Sequence, residues 1–264
     1  MKIAILAAGG SKYFPLFIDR PKCLYHLDGQ VQLARVINVA KKFVPEEDII
    51  VVGGYKYKYI EKYLQQNYPK VDFRVNNRYD EAAIYSFRVA VENVDDDIVI
   101  MFGDENIAEE RVAKICESKK ELAVMCHDTY YYYSLGIMKL AKNNIHMFFD
   151  DNYLSMDYMK DIYCFANNKT IYDGDFDINS GICIGYMMID IIRKVGKIDK
   201  IQNPNETYHG EEIEFIHFDP SKEYVPDIDH ICATDEYKNN ILLKIYTRGF
   251  SDPLKKIINL FRSK

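Results

Sequence analysis

With 264 residues, 48% hydrophobic and 28% charged, the chain has the composition of an ordinary soluble globular protein, enough for one large α/β domain or two small ones. A formal net charge of −6 argues against nucleic acid as partner, since polyanion binders carry a basic surface, but leaves room for a small anion held by local cations. Six scattered cysteines (Cys23, Cys116, Cys126, Cys164, Cys183 and Cys232) contain no Cys-x-x-Cys pair, which speaks against zinc and disulfides and for reduced thiols in a cytoplasm. The N-terminal apolar stretch is too short for a signal peptide, and nothing approaches a membrane span in length.

The first predicted element is a buried strand, Ile3 to Ala8, stopped by Gly9-Gly10. Gln30 to Phe43 has helical spacing, Asp48 to Val52 is a second buried strand before Gly53-Gly54, and Tyr57 to Tyr68 is a helix. A short strand at Val71 to Val75 and a helix at Ala82 to Asn93 precede the apolar strand Asp97 to Phe102, which ends in Gly103-Asp104. Strands alternating with helices imply a largely parallel sheet, whose ligands sit beyond the carboxyl ends of its strands. Gly9-Gly10 and Gly103-Asp104 are therefore expected to face one crevice.

The second half is less regular. Glu121 to Cys126 and Leu135 to Leu140 are strand-like, and Lys142-Asn143-Asn144 predicts a turn into a hairpin partner at Ile145 to Phe148. Ile178 to Met187 is expected to be a core strand, and Asp150 to Asp177 resists assignment. Leu254 to Arg262 reads as a basic amphipathic helix that packs on the domain or on a second subunit. No linker composition separates the halves, so one domain is expected. Within it, residues 1–110 carry the regular alternation, 111–240 the less regular second half and 241–264 a helical tail.

Small residues and glycines after a strand let backbone N–H groups approach a ligand, and Lys12 and Lys22 add charge, a combination suited to a polyphosphate. Leu6-Ala7-Ala8-Gly9, Gly10-Ser11-Lys12, Pro15-Leu16 and Pro21-Lys22-Cys23-Leu24 together resemble the signature of nucleotidyltransferases that join a nucleoside triphosphate to a phosphorylated small molecule. Lys12 stands where that family usually has arginine. The resemblance implies a Rossmann-like α/β fold, a mostly parallel sheet with helices on both faces and a small antiparallel extension.

It also implies roles. Lys22 neutralises charge at the α-phosphate and Lys12 holds the leaving pyrophosphate. Leu6, Ala7, Ala8, Gly9, Gly10, Ser11, Ala83, Ser86 and Gly103 contact the nucleotide. Asp104 and, far along the chain, Asp229 hold Mg²⁺, with Asp227 the substitute for the latter. Lys139 and Asn179 lie on the acceptor side. As a whole the chain is most similar to cytidylyltransferases of small non-sugar phosphates. Within these, CTP is the expected donor, and phosphoglutamine, used in bacterial capsule phosphoramidate synthesis, is the expected acceptor ahead of phosphocholine or a sugar 1-phosphate. Two rivals from other classes are a glycosyltransferase using Asp104-Glu105-Asn106 as its metal site and a non-catalytic regulatory homologue. A dinucleotide oxidoreductase is disfavoured because the first loop lacks G-x-G-x-x-G.

Overall fold

The computed structural model describes residues 1–10, 20–27, 29–105, 108–127, 137–167, 169–172, 181–197 and 212–218. Strand β1 (Lys2–Ala7) opens the chain, and the small antiparallel ribbon of β2 (His26–Leu27) and β3 (Gln30–Val31) leads into helix α1 (Gln32–Ala40). Then follow β4 (Ile49–Gly53), α2 (Tyr57–Asn67), β5 (Asp72–Val75), α3 (Ile84–Val91), β6 (Ile98–Phe102) and α4 (Glu109–Glu117). The second half supplies β7 (Leu122–His127), β8 (Met138–Leu140), α5 (Met156–Ala166), α6 (Gly181–Gly196) and β9 (Ile213–Phe218).

Seven strands form one sheet in the order β5-β4-β1-β6-β8-β7-β9. All run in one direction except β8, which is antiparallel to both β6 and β7. From β1 the chain adds β4 and β5 on one side, then crosses over through α3 to place β6 on the other. That reversal makes the carboxyl ends of β1 and β6 the switch point at which such sheets bind ligands.

Alternation along each strand divides the core in two. Ala4, Leu6, Ile50, Val52, Ile98 and Ile100 face α3, α5 and α6. Ile3, Ile5, Ile49, Val51, Val99 and Met101 face α1, α2 and α4. Both faces are covered, which explains why these strands are continuously apolar in sequence. The carboxyl end of α3 is satisfied from β5: the Arg74 guanidinium donates to the carbonyls of Val89, Ala90 and Glu92, closing α3 just before Asn93 turns left-handed at φ 55°. Among the described residues no helix is long and apolar enough to cross a membrane.

Two sequence expectations are corrected. The proposed core strand at 178–187 is instead the start of α6 at Gly181, with Met187, Met188, Ile191, Ile192 and Val195 buried at helical spacing. The hairpin partner at 145–148 is a 3₁₀ segment, Lys142–Phe149, because β8 has its hydrogen-bonding edges occupied by β6 and β7. The unassigned stretch after Asp150 yields a 3₁₀ turn, Asp151–Leu154, and α5, whose Ser155 cap accepts from the Tyr158 N–H. The predicted C-terminal helix at 254–262 lies outside the described residues.

A buried polar cluster joins these helices. The Asp190 carboxylate on α6, 1% exposed, accepts from the hydroxyls of Tyr153 at 3.0 Å and Tyr158 at 2.8 Å. Lys194, one turn on, lies 2.9 Å from both Asp190 and Asp150. Burial and then the Asp190 charge push the Tyr153 hydroxyl far above the usual phenol range, so it stays a donor. Removing one partner of a buried pair strands the other, but Lys194 is one-third exposed. Lys194→Met should therefore lower unfolding stability by roughly 1–3 kcal/mol, less than for a fully buried pair. An unchanged urea midpoint would show that the two hydroxyls alone satisfy Asp190.

Candidate functional site

The register of β1 against β6 builds the crevice. Leu6 pairs with Phe102, and the Gly103 N–H donates to the Leu6 carbonyl at 2.9 Å. Gly103 packs so closely on β1 that a Cβ there would sit 3.0 Å from the Ala7 Cβ. Leu6, Ala7 and Ala8 are buried, and only Gly9 and Gly10 reach solvent. The ligand-accessible part of this loop thus begins at Gly9, while the Leu6 carbonyl is committed to the sheet.

Lys22 opens a 3₁₀ turn, Lys22–Leu24, held by Leu24 N–H to Pro21 O and Tyr25 N–H to Lys22 O, both at 3.0 Å. Its stem passes Gly9: a Cβ on that glycine would lie 3.7 Å from the Lys22 Cε. Its Nζ makes an ion pair with the Asp104 carboxylate. The two side chains are 19% and 14% exposed, so each remains reachable from the crevice. The structure therefore brings Gly9, Gly10, Lys22, Gly103 and Asp104 together. Burial, reinforced by Asp104 and partly opposed by Lys22, pushes the Cys23 thiol well above its usual range, which leaves it a protonated core residue rather than a nucleophile.

A second wall comes from the loops after β4 and β5. The Tyr55 N–H donates to the Ala8 carbonyl at 2.8 Å, and the Tyr55 ring lies over Gly10. Tyr79 meets Tyr55 edge-on, with ring centroids 6.2 Å apart. Beneath them Asn76, 2% exposed, donates from its Nδ2 to Ser86 Oγ at 2.9 Å, and its N–H reaches the Gly53 carbonyl at 2.8 Å. Ser86 is thereby tied to the β5 loop, and Ala83 lines a small apolar recess with Tyr153, Met159, Ile184 and Met187.

Lys139 is elsewhere. It pairs in register with Val99 at the amino end of β6, opposite the crevice, and is 6% exposed. Its Nζ donates to the Ser118 carbonyl at 2.7 Å and lies 3.5 Å from Asp97. The antiparallel direction of β8 carries this lysine to the wrong end of the sheet for an acceptor, which corrects the expectation. Ser11, Lys12, Asn179, Asp227 and Asp229 lie outside the described residues.

Sequence reasoning passed over three residues. Tyr55 follows Gly53-Gly54, a second apolar strand with a Gly-Gly stop, and that echo of Gly9-Gly10 was its signal. Asn76 is a buried amide directly after β5. Gln32 is a polar side chain on the inward stripe of α1, fully buried, with its Nε2 donating to the Glu105 carbonyl at 2.7 Å.

Chemically, Asp104 offers a hard oxygen donor at the rim. No group of three His, Cys, Asp or Glu side chains gathers among the described residues. A cation held by one or two carboxylates, with phosphate oxygens and water completing the shell, fits that donor set, and this is how magnesium usually binds with nucleotides.

Known proteins resemble this chain in sequence and in fold. Residues 19–201 match a family described as a domain of unknown function (DUF6564). A CTP:phosphoglutamine cytidylyltransferase of Campylobacter jejuni is 31% identical over 133 residues, 47% of this chain and 52% of that one. A UTP–glucose-1-phosphate uridylyltransferase of Haloferax volcanii is 27% identical over 46% of this chain and 50% of its own length. The chain thus matches about half the length of these curated relatives. A 4-diphosphocytidyl-2C-methyl-D-erythritol synthase structure from Anaerococcus prevotii superposes with a TM-score of 0.54 over 90% of this chain and 96% of that one, at 12% identity. The fold is the Rossmann-like fold of nucleotidyltransferases.

The interlock of the three loops is testable at Gly54. A Cβ there would fall 2.5 Å from the Tyr79 Cβ, 2.7 Å from the Ala8 carbonyl oxygen and 2.8 Å from the Ala8 Cβ. Two of these are main-chain or Cβ atoms of the glycine loop and cannot swing away. Gly54→Ala should lower stability by about 1–3 kcal/mol, the usual cost of overpacking, as read by chemical denaturation.

Proposed function

We propose that this chain, which belongs to the family described as a domain of unknown function (DUF6564), is a nucleotidyltransferase that moves a nucleoside monophosphate from a triphosphate to a small phosphorylated acceptor. CTP is the donor and phosphoglutamine, in capsule phosphoramidate modification, the acceptor. The observation that carries the reaction class is the ion pair of Lys22 with Asp104 beside Gly9, at the joined carboxyl ends of β1 and β6. The donor and acceptor rest on the name of the Campylobacter relative. The Haloferax relative favours a second reading, a sugar 1-phosphate with UTP.

In the proposed reaction an acceptor phosphate oxygen attacks the α-phosphorus, the bond from that phosphorus to the β-phosphate oxygen breaks, and pyrophosphate leaves. Phosphoryl-group chemistry of this kind asks the protein for positioning and charge rather than for a covalent intermediate. The backbone of Gly9 and Gly10 lies against the triphosphate, and Ser11 contacts it too. Lys22 exchanges Asp104 for the α-phosphate and stabilises the charge that develops there, and Lys12 holds the pyrophosphate. Asp104 and Asp229 would hold Mg²⁺, which when bound supplies further neutralisation of the phosphates. The ribose lies along the backbone at Gly103, whose lack of a Cβ lets it close on Ala7, and Ala83 and Ser86 border the base.

The deciding experiment is pyrophosphate release from CTP, UTP, GTP or ATP, each with phosphoglutamine, phosphocholine or a sugar 1-phosphate, in Mg²⁺. Turnover of CTP with phosphoglutamine is expected. Turnover of UTP with glucose 1-phosphate alone would move the assignment to the second reading, and no release from any pair would remove the reaction class. In the active pair, Lys22→Ala should cut turnover at least about a hundredfold, of order 3 kcal/mol, with the fold intact. Asp104→Asn should raise the Mg²⁺ concentration needed for half-maximal rate, and an unaltered metal requirement would dismiss its role.

A further inference from the structure

We infer that Gln32 is the positioning residue that fixes the Lys22 and Asp104 segments relative to each other. This rests on the reading of Asp104 as a metal-holding carboxylate. Gln32 begins α1 and has no exposed surface. Its N–H donates to the carbonyl of Tyr25 at 2.9 Å, and the Tyr25 N–H in turn donates to the Lys22 carbonyl, so the residue is bonded to the turn that carries Lys22. Its Nε2 donates at 2.7 Å to the carbonyl of Glu105, the residue after Asp104. One residue therefore bonds both segments that carry the ion pair, the second of them 73 positions away in sequence.

The other end of the same amide is an anomaly. Gln32 Oε1 is buried and no donor reaches it among the described residues. An orphaned acceptor costs stability, and an apolar side chain of the same length would avoid that cost. A residue chosen for packing alone would be Leu or Met. The amide is explained by what its N–H end holds: the main chain at Glu105, and through it the direction of the Asp104 carboxylate. Groups one shell out from a metal-holding side chain act in this way, orienting the ligand without touching the ion.

The test compares Gln32→Met, Gln32→Asn and Asp104→Asn with the parent protein. Met keeps the length without the donor, and Asn keeps the amide one methylene short of Glu105. Mn²⁺ binding is followed by electron paramagnetic resonance in the presence of CTP without acceptor, alongside CTP binding without metal and thermal melting. Both Gln32 variants should weaken Mn²⁺ binding by about tenfold, as lost outer-shell partners do. Metal-free CTP binding should be unchanged, and Gln32→Met should melt near the parent because the lost bond is offset by removal of the orphaned oxygen. If Asp104→Asn weakens Mn²⁺ binding and neither Gln32 variant does, Gln32 has only a packing role. If a Gln32 variant melts lower and binds Mn²⁺ normally, the same conclusion holds. If Asp104→Asn itself leaves Mn²⁺ binding intact, the reading of Asp104 falls first and the inference with it.

Discussion

The parallel pairing of β1 with β6 is the constraint on which the site depends. Each strand is covered on both faces, so its side chains alone would tolerate several alignments. The observed register, Lys2 with Ile98 through Leu6 with Phe102, ends both ladders at one level. Gly103 then meets Ala7, and Asp104 emerges beside the loop that starts at Gly9. A slip of one residue would send Asp104 to the opposite face of the sheet, toward the wrong helices and away from Lys22.

The electrostatics of that meeting point are balanced rather than stabilising. A partly buried ion pair loses hydration on both partners and recovers it through mutual attraction, so its net contribution to the fold is small. In the proposed reaction, separating Lys22 from Asp104 would cost little, because a phosphate and a cation would replace each in turn. Around the pair the frame is rigid: Tyr55 is bonded to Ala8, Gly54 is pressed against Ala8 and Tyr79, and Gln32 bridges the turn and the β6 loop. These contacts hold the backbone that aims both charges.

Much of this was legible in the sequence, and the exceptions have physical causes. The apolar runs ending in Gly9, Gly53 and Gly103 identified three central strands, because a doubly covered strand can be written only in apolar residues. The start of α6 was misassigned because Ile182 to Met187 is a short, nearly continuous apolar run, which periodicity cannot tell from a buried strand. The helical repeat becomes evident only with Ile191, Ile192 and Val195. Lys139 was misplaced because composition marks a strand but not its direction, and β8 runs against its neighbours. Gln32 carried a signal, a polar residue on an apolar helical stripe, but its partner at Glu105 is a main-chain carbonyl that no side-chain pattern reveals.

The pairing of β1 with β6 also has a consequence for biosynthesis. Strand β1 is made before both of its neighbours, which begin at Ile49 and Ile98, 46 and 96 residues from their partners Ile3 and Lys2. At about 5–20 residues per second, roughly 5–20 s of translation separate the synthesis of β1 from that of β6. Throughout that interval a strand apolar from Ile3 onward waits with at least one edge unpaired, a form of nascent chain suited to capture by chaperones or by another copy of itself. The geometry that joins the glycine loop to the aspartate therefore leaves β1 waiting for its partner during synthesis, and delays the crevice until β6 has been made.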